Sequence, residues 1–264
     1  MKAKNFLLTT FLFAALTANA QSNTTDEGIV INGVKWATRN VDAPGTFAAN
    51  SENAGMFYQW NRRVGWSVTA VPTFNSNGGT ILDWDSSIPP GTTWEKANDP
   101  SPAGWRVPTS AEIQSLLDTD KVSTELTTQN GITGRKFTDL ETGSSLFFPA
   151  AGRRLYFDGA LSSSGIFGYY WSSIQYDSTM AFCWSFGTEM SMSCYERTRT
   201  GGFSVRAVSD FSPSNITVIE AGKEKTPVAY YSIMGVQLQK EPEIGIYIIV
   251  YENGTAEKVI KKTR

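Results

Sequence analysis

Histidine is absent from the 264 residues, and its absence excludes several kinds of functional site. Ser-His-Asp and Cys-His catalysis both need an imidazole as the general base. Histidine-ligated metal sites are excluded for the same reason. Any catalytic or metal centre in this chain must therefore be built from other side chains.

Charged residues are also scarce, at 18% of the chain, whereas Gly, Ser, Thr and Asn are plentiful. This composition is not that of a coiled coil, a basic nucleic-acid binder or a disordered acidic chain. Aromatic residues are abundant instead, with 15 Phe, 8 Trp and 10 Tyr. These large side chains can fill a hydrophobic core without the help of metals or many disulfides.

The first 20 residues carry the pattern of a secretory signal peptide. Lys2 and Lys4 precede an apolar run over residues 6–16, and the small-x-small sequence Ala18-Asn19-Ala20 follows. We predict cleavage after Ala20. The apolar run is far shorter than the roughly 20 residues that a membrane-spanning helix needs. The chain is therefore expected to be exported, without a membrane span once the signal has been removed.

The charge of the mature chain follows from that cleavage. Loss of Lys2 and Lys4 removes two of the 23 basic residues and none of the 25 acidic ones, which leaves a net charge of −4. A weakly acidic chain has no electrostatic reason to bind nucleic acid or an anionic membrane. We therefore expect no nucleic-acid partner.

Only two cysteines occur, Cys183 and Cys194. If Thr188-Glu189 forms a two-residue turn, the two cysteines face each other across a hairpin, close to disulfide geometry. An exported location would permit the bond. This spacing predicts a Cys183–Cys194 disulfide, and two separate half-buried thiols are the alternative. A catalytic thiol is not expected, because no histidine is available as its partner base.

Short strands and one clear helix dominate the pattern over residues 28–210, after a polar lead-in at 21–27 that we predict to be flexible. Thr109 and Glu112 form a capping box, and the apolar residues that follow at helical spacing predict a helix over 110–118. A second, weaker helix is predicted near 121–129. Strands are predicted at residues 29–36 around an Asn32-Gly33 turn, 56–60, 146–148, 153–157, 168–173, 181–186, 190–196 and 203–208. Many short strands with one or two helices predict an α+β fold with mainly antiparallel sheet.

Residues 72–104 are rich in proline and glycine and should form a long loop without regular structure. Loops of this length are usually functional or mobile. Asp83, Trp84, Asp85 and Trp94 lie inside it and are our candidate ligand-binding residues. The carboxylates are of the kind that coordinates Ca²⁺, and an indole can stack on a sugar ring. The simpler alternative is that the carboxylates are solvated and the tryptophans hold the loop; no other cofactor or metal is predicted.

The end of the chain has a different composition. Residues 211–215 resemble a linker, and residues 216–264 contain neither Trp nor Cys. Residues 245–251 form the strongest strand pattern in the protein, followed by an Asn253-Gly254 turn and a return strand at 258–260. That turn would place Ile248 opposite Val259. We predict a small, β-sandwich-like C-terminal module.

Five ordered fragments of the first 210 residues resemble one family. They are INGVKWATRNV, AGMFYQWNR, DPSPAGWRVPTSAEIQSLL, GYYWSS and GFSVRAV. In order and spacing they resemble the Fibrobacter succinogenes major paralogous domain family over residues 28–210. The resemblance implies an exported protein with a C-type lectin-like fold that presents ligands on a long loop, and it implies no particular reaction. Members often carry Cys where this chain has Ser101, which puts a disulfide at the base of the loop in doubt.

The tail resembles a second family. YSIMGVQL, then GIYII, then Asn253-Gly254 and the basic pair Lys261-Lys262 are similar to the C-terminal sorting domain of type IX secretion. The resemblance implies that residues 216–264 are recognised by export machinery and are often cleaved. The alternative is an ordinary β-module that covers an edge of the main domain.

Together these patterns predict an exported binding or adhesion protein of a Gram-negative bacterium. We expect it at the cell surface or outer membrane, or outside the cell, reached through the periplasm, with a glycan or a surface protein as its ligand. Two alternatives remain: a structural subunit of a surface assembly, and a weak hydrolase that uses Asp83 and Asp85. Trp36, Trp60, Trp105 and Trp171 are predicted to belong to the core. Arg206 is predicted to pair with backbone or a carboxylate near the core rather than with a ligand.

Overall fold

A computed structural model describes residues 24–187, 193–210, 227–232, 236–252 and 256–261. The chain divides into two compact units, Met1–Phe211 and Ser212–Arg264. The predicted signal peptide with its cleavage site at Ala20, and the predicted linker at 211–215, lie outside the described residues. In the described part of each unit, the regular secondary structure is mainly antiparallel strand.

The described part of the first unit has fifteen short strands, one α-helix and two 3-10 turns. The strands are Ile29–Ile31 (β1), Val34–Trp36 (β2), Phe57–Gln59 (β3), Gly65–Trp66 (β4), Trp105–Arg106 (β5), Val122–Gln129 (β6), Ile132–Asp139 (β7), Ser145–Pro149 (β8), Arg153–Arg154 (β9), Leu161–Ser162 (β10), Phe167–Gln175 (β11), Met180–Gly187 (β12), Ser193–Thr198 (β13), Gly202–Phe203 (β14) and Val208–Ser209 (β15). The helix is Ser110–Ser115 (α1), and the 3-10 turns are Ile81–Asp83 and Lys96–Asn98.

These strands form four antiparallel sheets, with the orders β1-β2-β15-β5, β10-β9-β14-β3-β4, β11-β12-β13 and β6-β7-β8. Strands that are distant in sequence meet in the first two sheets. In particular, Val208 pairs with both Trp36 and Arg106, and Gly202 pairs with Gln59 and Arg154. The two ends of the unit are therefore joined through shared sheets.

The predicted α+β, C-type lectin-like fold class is wrong, because the chain is 43% strand and 6% helix. The helix predicted over 110–118 exists, but it is only the six residues of α1. The weaker helix predicted near 121–129 is strand β6. Asn130 and Gly131 have φ values of 48° and 82°, as a type I′ turn requires, and they join β6 to β7 as a long hairpin. The Thr residues of β6 are β-branched and also favour a strand.

The start of α1 confirms the predicted capping box. The Thr109 hydroxyl accepts a hydrogen bond from the Glu112 backbone N–H at 3.2 Å, and the Glu112 carboxylate accepts one from the Thr109 backbone N–H at 2.7 Å. Two otherwise unpaired donors at the helix start are satisfied in this way. Arg106 also donates two hydrogen bonds to the Glu112 carboxylate, at 2.8 and 2.5 Å, and so ties the helix start to β5.

The core is aromatic, as predicted. Trp36, Trp60, Trp105 and Trp171 are all buried. Trp171 stacks on Phe203 with 4.2 Å between ring centroids, and its indole N–H donates to the Tyr58 carbonyl oxygen at 2.7 Å. The buried Trp171 indole is therefore both packed and hydrogen-bonded, which is the favourable arrangement for tryptophan.

The hairpin β12–β13 has a different register from the predicted one. Cys183 lies opposite Tyr195, and Cys194 lies opposite Trp184. The register is shifted by one residue from the one that would place Cys183 against Cys194. Because neighbouring strand residues point to opposite faces, a shift of one residue separates a predicted cross-strand pair. The geometric argument for a Cys183–Cys194 disulfide is therefore wrong, and the predicted Thr188-Glu189 turn lies outside the described residues.

Asp26 lies within the segment predicted as a flexible lead-in, yet it is tied to the body of the first unit. Its carboxylate accepts hydrogen bonds from the backbone N–H groups of Gly28 and Thr38, at 2.8 and 3.0 Å. It also forms an ion pair with Arg39 at 3.1 Å, and the Asp26 side chain is 1% exposed. The segment is therefore anchored from Asp26 onward.

The second unit is a four-stranded antiparallel sheet. Its described strands are Pro227–Ser232 (β16), Gln237–Leu238 (β17), Gly245–Tyr251 (β18) and Ala256–Lys261 (β19), in the order β17-β16-β18-β19. Strand β18 has the predicted bounds. Its partner is shifted by one residue, since Ile248 lies opposite Lys258 rather than Val259. The predicted Asn253-Gly254 turn lies outside the described residues, as do parts of the module predicted at 216–264.

One further feature concerns membranes. Among the described residues, no helix is both long enough and apolar enough to cross a bilayer.

Candidate functional site

The long segment between β4 and β5, residues 67–104, contains only two short 3-10 turns, so it is irregular as predicted. It is nevertheless fastened to the sheets at many points. The Asn61 side chain donates to the Pro90 carbonyl oxygen at 2.9 Å, and the Trp94 backbone N–H donates to the Ser173 carbonyl oxygen at 2.8 Å. The segment therefore follows a defined path over the surface.

Arg154 holds the first part of this segment from beneath. Its guanidinium is 1% exposed and donates to the carbonyl oxygens of Ser67, Thr69 and Gly159, at distances between 2.6 and 3.0 Å. Burial lowers the pKa of this guanidinium, and the surrounding carbonyl oxygens compensate part of the lost hydration. Loop 67–74 and loop 155–160 are therefore joined through one buried side chain.

Arg199 holds the later part of the segment in the same way. It donates to the carbonyl oxygens of Pro89 and Gly91, both at 3.0 Å, and its guanidinium lies over the Trp60 ring at 4.4 Å. Sequence reasoning missed both Arg154 and Arg199. Their signal is weak, because nothing in the local pattern distinguishes a buried arginine from a solvated one.

Trp84, one of the predicted ligand-binding residues, is half-buried. Its ring packs against Trp66 with 5.0 Å between centroids, and its indole N–H donates to the Tyr156 carbonyl oxygen at 3.3 Å. A Cβ atom built on Gly159 would lie only 2.5 Å from the Trp84 ring, so the indole is in direct contact with the Gly159 backbone. These contacts match the alternative in which Trp84 holds the loop.

Trp94 lies in a different place. Its side chain is buried, forms an edge-to-face pair with Trp60 at 6.0 Å, and donates its indole N–H to the Asn98 carbonyl oxygen at 2.9 Å. It belongs to the main hydrophobic core cluster, whereas Trp84 packs against a separate cluster around Trp66. The structure therefore does not bring these two tryptophans together on one surface.

Asp83 and Asp85 are both exposed, and each carboxylate has partners in the protein. Asp83 accepts a hydrogen bond from the Thr80 backbone N–H at 2.7 Å. Asp85 pairs with Arg62 and accepts the Ser87 backbone N–H at 2.8 Å. The Arg62 hydrogen bond, with a smaller contribution from Ser87, lowers the pKa of Asp85 to about 2. Asp85 therefore stays ionised at neutral pH, which does not suit a general acid.

The sequence makes Asp83 and Asp85 candidates for binding Ca²⁺. A Ca²⁺ site needs six to eight oxygen ligands, usually including several carboxylates. Over the part of the chain that the structure describes, no group of three or more Cys, Asp or Glu side chains is arranged to hold an ion. Asp83 and Asp85 are two neighbouring carboxylates on a turn, and their positions do not complete such a set.

Exposed apolar side chains occur on each of the loops that Arg154 and Trp84 join. We name these side chains the three-loop surface, and they are Val71, Phe74, Leu82, Tyr156 and Phe157. Leu82 is 92% exposed and Val71 is 89% exposed. The Tyr156 and Phe157 rings form an edge-to-face pair at 5.2 Å. Sequence reasoning missed this surface, since it assigned residues 153–157 to a strand and attended to the charged and indole side chains of the loop.

Three aspartates lie on the loops of the three-loop surface. Residues 67–88 and 155–166 contain Asp83, Asp85 and Asp158 and no Lys or Arg. Asp85 is neutralised by Arg62, whereas Asp83 and Asp158 accept hydrogen bonds from backbone N–H groups and form no ion pair with any described residue. The buried Arg154 guanidinium lies beneath the same loops, so both signs of charge are present at the three-loop surface.

A second surface feature is an open polar pocket of about 380 Å³. It is lined by Thr38, Arg39, Ala49, Asn50, Ser51, Glu52 and Asn130. The Glu52 carboxylate accepts the Asn130 side-chain N–H at 2.7 Å, and this bond lowers the pKa of Glu52. The pocket lies where the tip of the β6–β7 hairpin meets the body of the unit, and the Ser51 hydroxyl also donates to Glu52 there.

Arg206 has the structural role that the sequence predicted. It is buried and donates to the Asn40 side chain at 2.8 Å and to the carbonyl oxygens of Ala37 and Phe147 at 3.2 and 3.1 Å. Burial lowers its pKa to about 10. Its guanidinium also lies over the Phe148 ring at 4.8 Å, and the residue is 1% exposed, so it is not accessible to a ligand at the surface.

Comparison with known proteins adds no relative. No protein-family model, no curated protein and no solved structure matches the chain.

Proposed function

We propose that this chain is an exported, surface-associated, non-catalytic binding protein whose ligand is a protein or a glycan. The observation that carries the proposal is the three-loop surface. Its five apolar side chains are between 48% and 92% exposed and lie on loops that are joined to one another. Exposed apolar side chains on neighbouring, anchored loops are typical of interaction sites.

The contacts beneath the three-loop surface favour a binding role for these loops over simple mobility. Arg154 and Trp84 connect its loops through buried hydrogen bonds and ring packing. A surface that is already ordered loses little conformational entropy when a ligand binds. Ordering the loops in the unbound protein costs conformational entropy on folding, and it is useful when the protein has to recognise a ligand.

Export is the second part of the proposal. It is supported by the leader over residues 1–20 and by the resemblance of the tail to a sorting domain. The five fragments similar to the major paralogous domain family also favour an exported protein. We propose that residues 216–264 are recognised by export machinery, and that the first unit carries the binding surface.

The chemistry of the loop favours binding rather than hydrolysis. A carboxylate hydrolase needs one carboxyl with a raised pKa as the acid and a second one nearby as base or nucleophile. Asp85 has a lowered pKa and an arginine partner, and Asp83 caps its own turn. The Asp85 carboxyl is therefore not prepared to act as a general acid.

A binding experiment tests this proposal. The chain secreted by its host is screened against a glycan array and against solubilised envelope proteins, alongside the variant Leu82→Ser/Phe157→Ser. Leu140→Ser is the matched control, because Leu140 is also an exposed leucine but lies away from the three loops. We expect saturable binding that the double variant weakens at least tenfold and that the control retains.

Two results would contradict the proposal. One is the absence of saturable binding to any glycan or envelope protein by the correctly folded chain. The other is turnover of a glycoside that Asp83→Asn abolishes, which would support the hydrolase alternative. Trp84→Ala and Trp94→Ala are poor tests, because both side chains pack inside the protein and their loss would disturb the fold.

A further inference from the structure

We infer that two copies of this chain associate through strand β6, which pairs antiparallel with β6 of the other copy about a two-fold axis at Leu126. This inference is independent of the three-loop surface and adds self-association to the proposed function. It follows from the position of β6 at the edge of its sheet, from its register with β7 and from the order of its side chains.

Strand β6 is a long edge strand. It is eight residues long and lies at one end of the sheet β6-β7-β8, where it pairs with β7 over its whole length without a shift of register. Proline, lysine or a β-bulge usually protects an edge of this length, and β6 has none of them. Its outer side can therefore accept a further strand.

Strand β11 shows how a long edge is covered elsewhere in this unit. It has nine residues and also lies at the end of its sheet. Isolated bridges from Thr93, Gly152 and Ser204 occupy its outer side. Among the residues that the structure describes, no isolated bridge involves β6. The outer side of β6 is therefore left open, whereas that of β11 is closed.

The register with β7 determines which backbone groups of β6 point outward. The two-residue turn at 130–131 makes the closing pair a hydrogen-bonded one, and every second pair after it is hydrogen-bonded too. Leu126 and Thr128 lie in the intervening pairs, so their N–H and C=O groups point away from β7. Thr133 lies opposite Thr128, and its carbonyl oxygen accepts the Ala150 backbone N–H at 2.9 Å on the side away from β6, as this alternation requires.

The order of the side chains makes β6 complementary to itself. A two-fold axis at Leu126 places this leucine opposite its copy and Thr124 opposite Thr128. Glu125 then lies opposite Thr127. The Leu126 side chain is 41% exposed, and the pairing would cover it with a second leucine. Cross-strand pairs of apolar and of β-branched side chains stabilise a sheet, and the outward N–H groups of Leu126 and Thr128 meet carbonyl oxygens of the other copy.

Charge selects this register over its neighbours. An axis at Glu125 would place two glutamates opposite each other, which destabilises a strand pair. An axis at Thr127 would place Leu126 opposite a threonine and lose the apolar pair. With the axis at Leu126, each glutamate meets a neutral threonine and keeps its ion pair with Lys136 of its own chain. One pair of strands is a small interface beside the roughly 800 Å² per partner of a stable complex, so we expect a reversible dimer.

Sedimentation velocity of the full chain over a series of concentrations tests the inference. We expect a reversible monomer–dimer equilibrium. Leu126→Pro removes an N–H group that points outward and leaves the hydrogen bonds to β7 in place. It should weaken dimerisation at least thirtyfold, whereas Leu126→Ala keeps the N–H group and should weaken it less than tenfold. Circular dichroism and thermal unfolding check that each variant keeps the fold of the monomer.

A matched pair of variants at Thr127 tests the register. Thr127 lies opposite Gly134 within its own sheet, so a longer side chain has room there. Thr127→Lys would place a cation opposite Glu125 of the other copy and should strengthen dimerisation at least threefold in low salt. Thr127→Glu would place two carboxylates together and should weaken it at least threefold. Added salt should reduce both effects.

Several outcomes would overturn the inference. A chain that stays monomeric at every concentration would do so, and so would a dimer that Leu126→Pro leaves intact. Equal effects of Thr127→Lys and Thr127→Glu would contradict the register. The variant Leu82→Ser/Phe157→Ser should dimerise normally, which separates this inference from the binding role of the three-loop surface. A dimer that this variant dissociates would assign self-association to that surface instead.

Discussion

Arg154 donates two hydrogen bonds to the carbonyl oxygen of Ser67, a residue 87 positions earlier in the chain, at 3.0 and 2.6 Å. Its other hydrogen bonds within the described part of the chain go to loop carbonyl oxygens and one hydroxyl, and none of them goes to a carboxylate. Buried guanidinium groups satisfied by carbonyl oxygens recur at Arg199 and Arg206. Arginine, rather than regular secondary structure, fixes the paths of the long loops.

Arg154→Met should therefore destabilise the protein and loosen the three loops together. Removal of the guanidinium leaves the carbonyl oxygens of Ser67, Thr69 and Gly159 without donors, at a cost of about 3 kcal/mol. Urea unfolding measures that loss, and limited proteolysis should show faster cleavage within residues 67–88. Lys121→Met is the control, since Lys121 is exposed, and it should change neither quantity. Unchanged proteolysis in Arg154→Met would contradict the assigned role.

Gly159 gives a second test of how the surface is held. Its φ is 68°, and a Cβ atom there would lie 2.5 Å from the Trp84 ring. Gly159→Ala should cost at least about 3 kcal/mol, from left-handed backbone strain and displacement of the indole together. Gly165 has φ 77° and open space around its Cβ position. Gly165→Ala should cost only about 1 kcal/mol.

Thermal unfolding and tryptophan fluorescence distinguish these two glycine variants. Only Gly159→Ala should alter the emission spectrum, because only that change moves Trp84. Equal stability losses in the two variants would show that the Trp84 contact contributes nothing beyond backbone conformation.

Acid stability should depend on Asp26. Burial raises the pKa of this carboxyl, but hydrogen bonds from Thr38, Gly28 and Arg39 outweigh it, and the net pKa is lowered. A carboxyl whose pKa is lower in the folded state stabilises the fold above its ordinary pKa near 3.8, and this contribution is lost as the pH falls through the folded value. Asp26→Asn leaves Arg39 as an unpaired buried charge and should cost about 3 kcal/mol at pH 7.

Asp85→Asn is the matched control for that change. Asp85 also pairs with an arginine and has a pKa of about 2, but its side chain is 51% exposed. Solvent screening limits such a pair to less than about 1 kcal/mol. Denaturant unfolding at pH 7 and pH 3 compares the two variants. Equal losses of unfolding free energy in Asp26→Asn and Asp85→Asn at pH 7 would contradict the argument that burial decides the strength of these two ion pairs.

Alkaline stability should depend in part on Tyr170. Burial raises the pKa of its hydroxyl to about 12, and the hydroxyl donates to the Pro149 carbonyl oxygen at 2.7 Å. A group with a raised folded pKa contributes stability below the unfolded pKa near 10, and this contribution is lost as the pH rises toward 12. Tyr170→Phe should cost about 1 kcal/mol at pH 7 and should flatten the loss of stability between pH 10 and 12.

Denaturant unfolding across that pH range, with Tyr156→Phe as the exposed control, measures the effect. Tyr156→Phe should leave stability unchanged throughout, because its ring lies at the surface. A Tyr170→Phe variant with the same alkaline profile as the unaltered chain would contradict the assignment.

Local patterns predicted local structure well in this chain. The Thr109–Glu112 capping box, the Asn32-Gly33 turn and strand β18 all lie where their residues indicate. Each depends on a few neighbouring residues, so the sequence within one short window is sufficient. The Asn130-Gly131 turn was readable by the same rule, and recognition of it would have replaced the predicted helix at 121–129 with a hairpin.

Registers and long-range contacts were not predictable in the same way. Both the β12–β13 and β18–β19 pairings differ by one residue from the prediction. A shift of one residue changes which side chains share a face, and the residue pattern of each strand alone did not exclude it. The candidate site was only partly predictable. Asp83, Trp84 and Asp85 share one surface turn, but Trp94 lies in the core and the exposed apolar side chains were overlooked.

The sequence by itself determined that aromatic side chains would fill the core, that short strands would dominate, and that residues 72–104 would remain irregular. These properties depend on composition and on spacing over a few residues. Only the tertiary structure decided which loop residues face solvent and which ones Arg154 and Arg199 hold from beneath. Such contacts join positions many tens of residues apart, and their partners are backbone carbonyl groups that every residue possesses, so no local pattern distinguishes them.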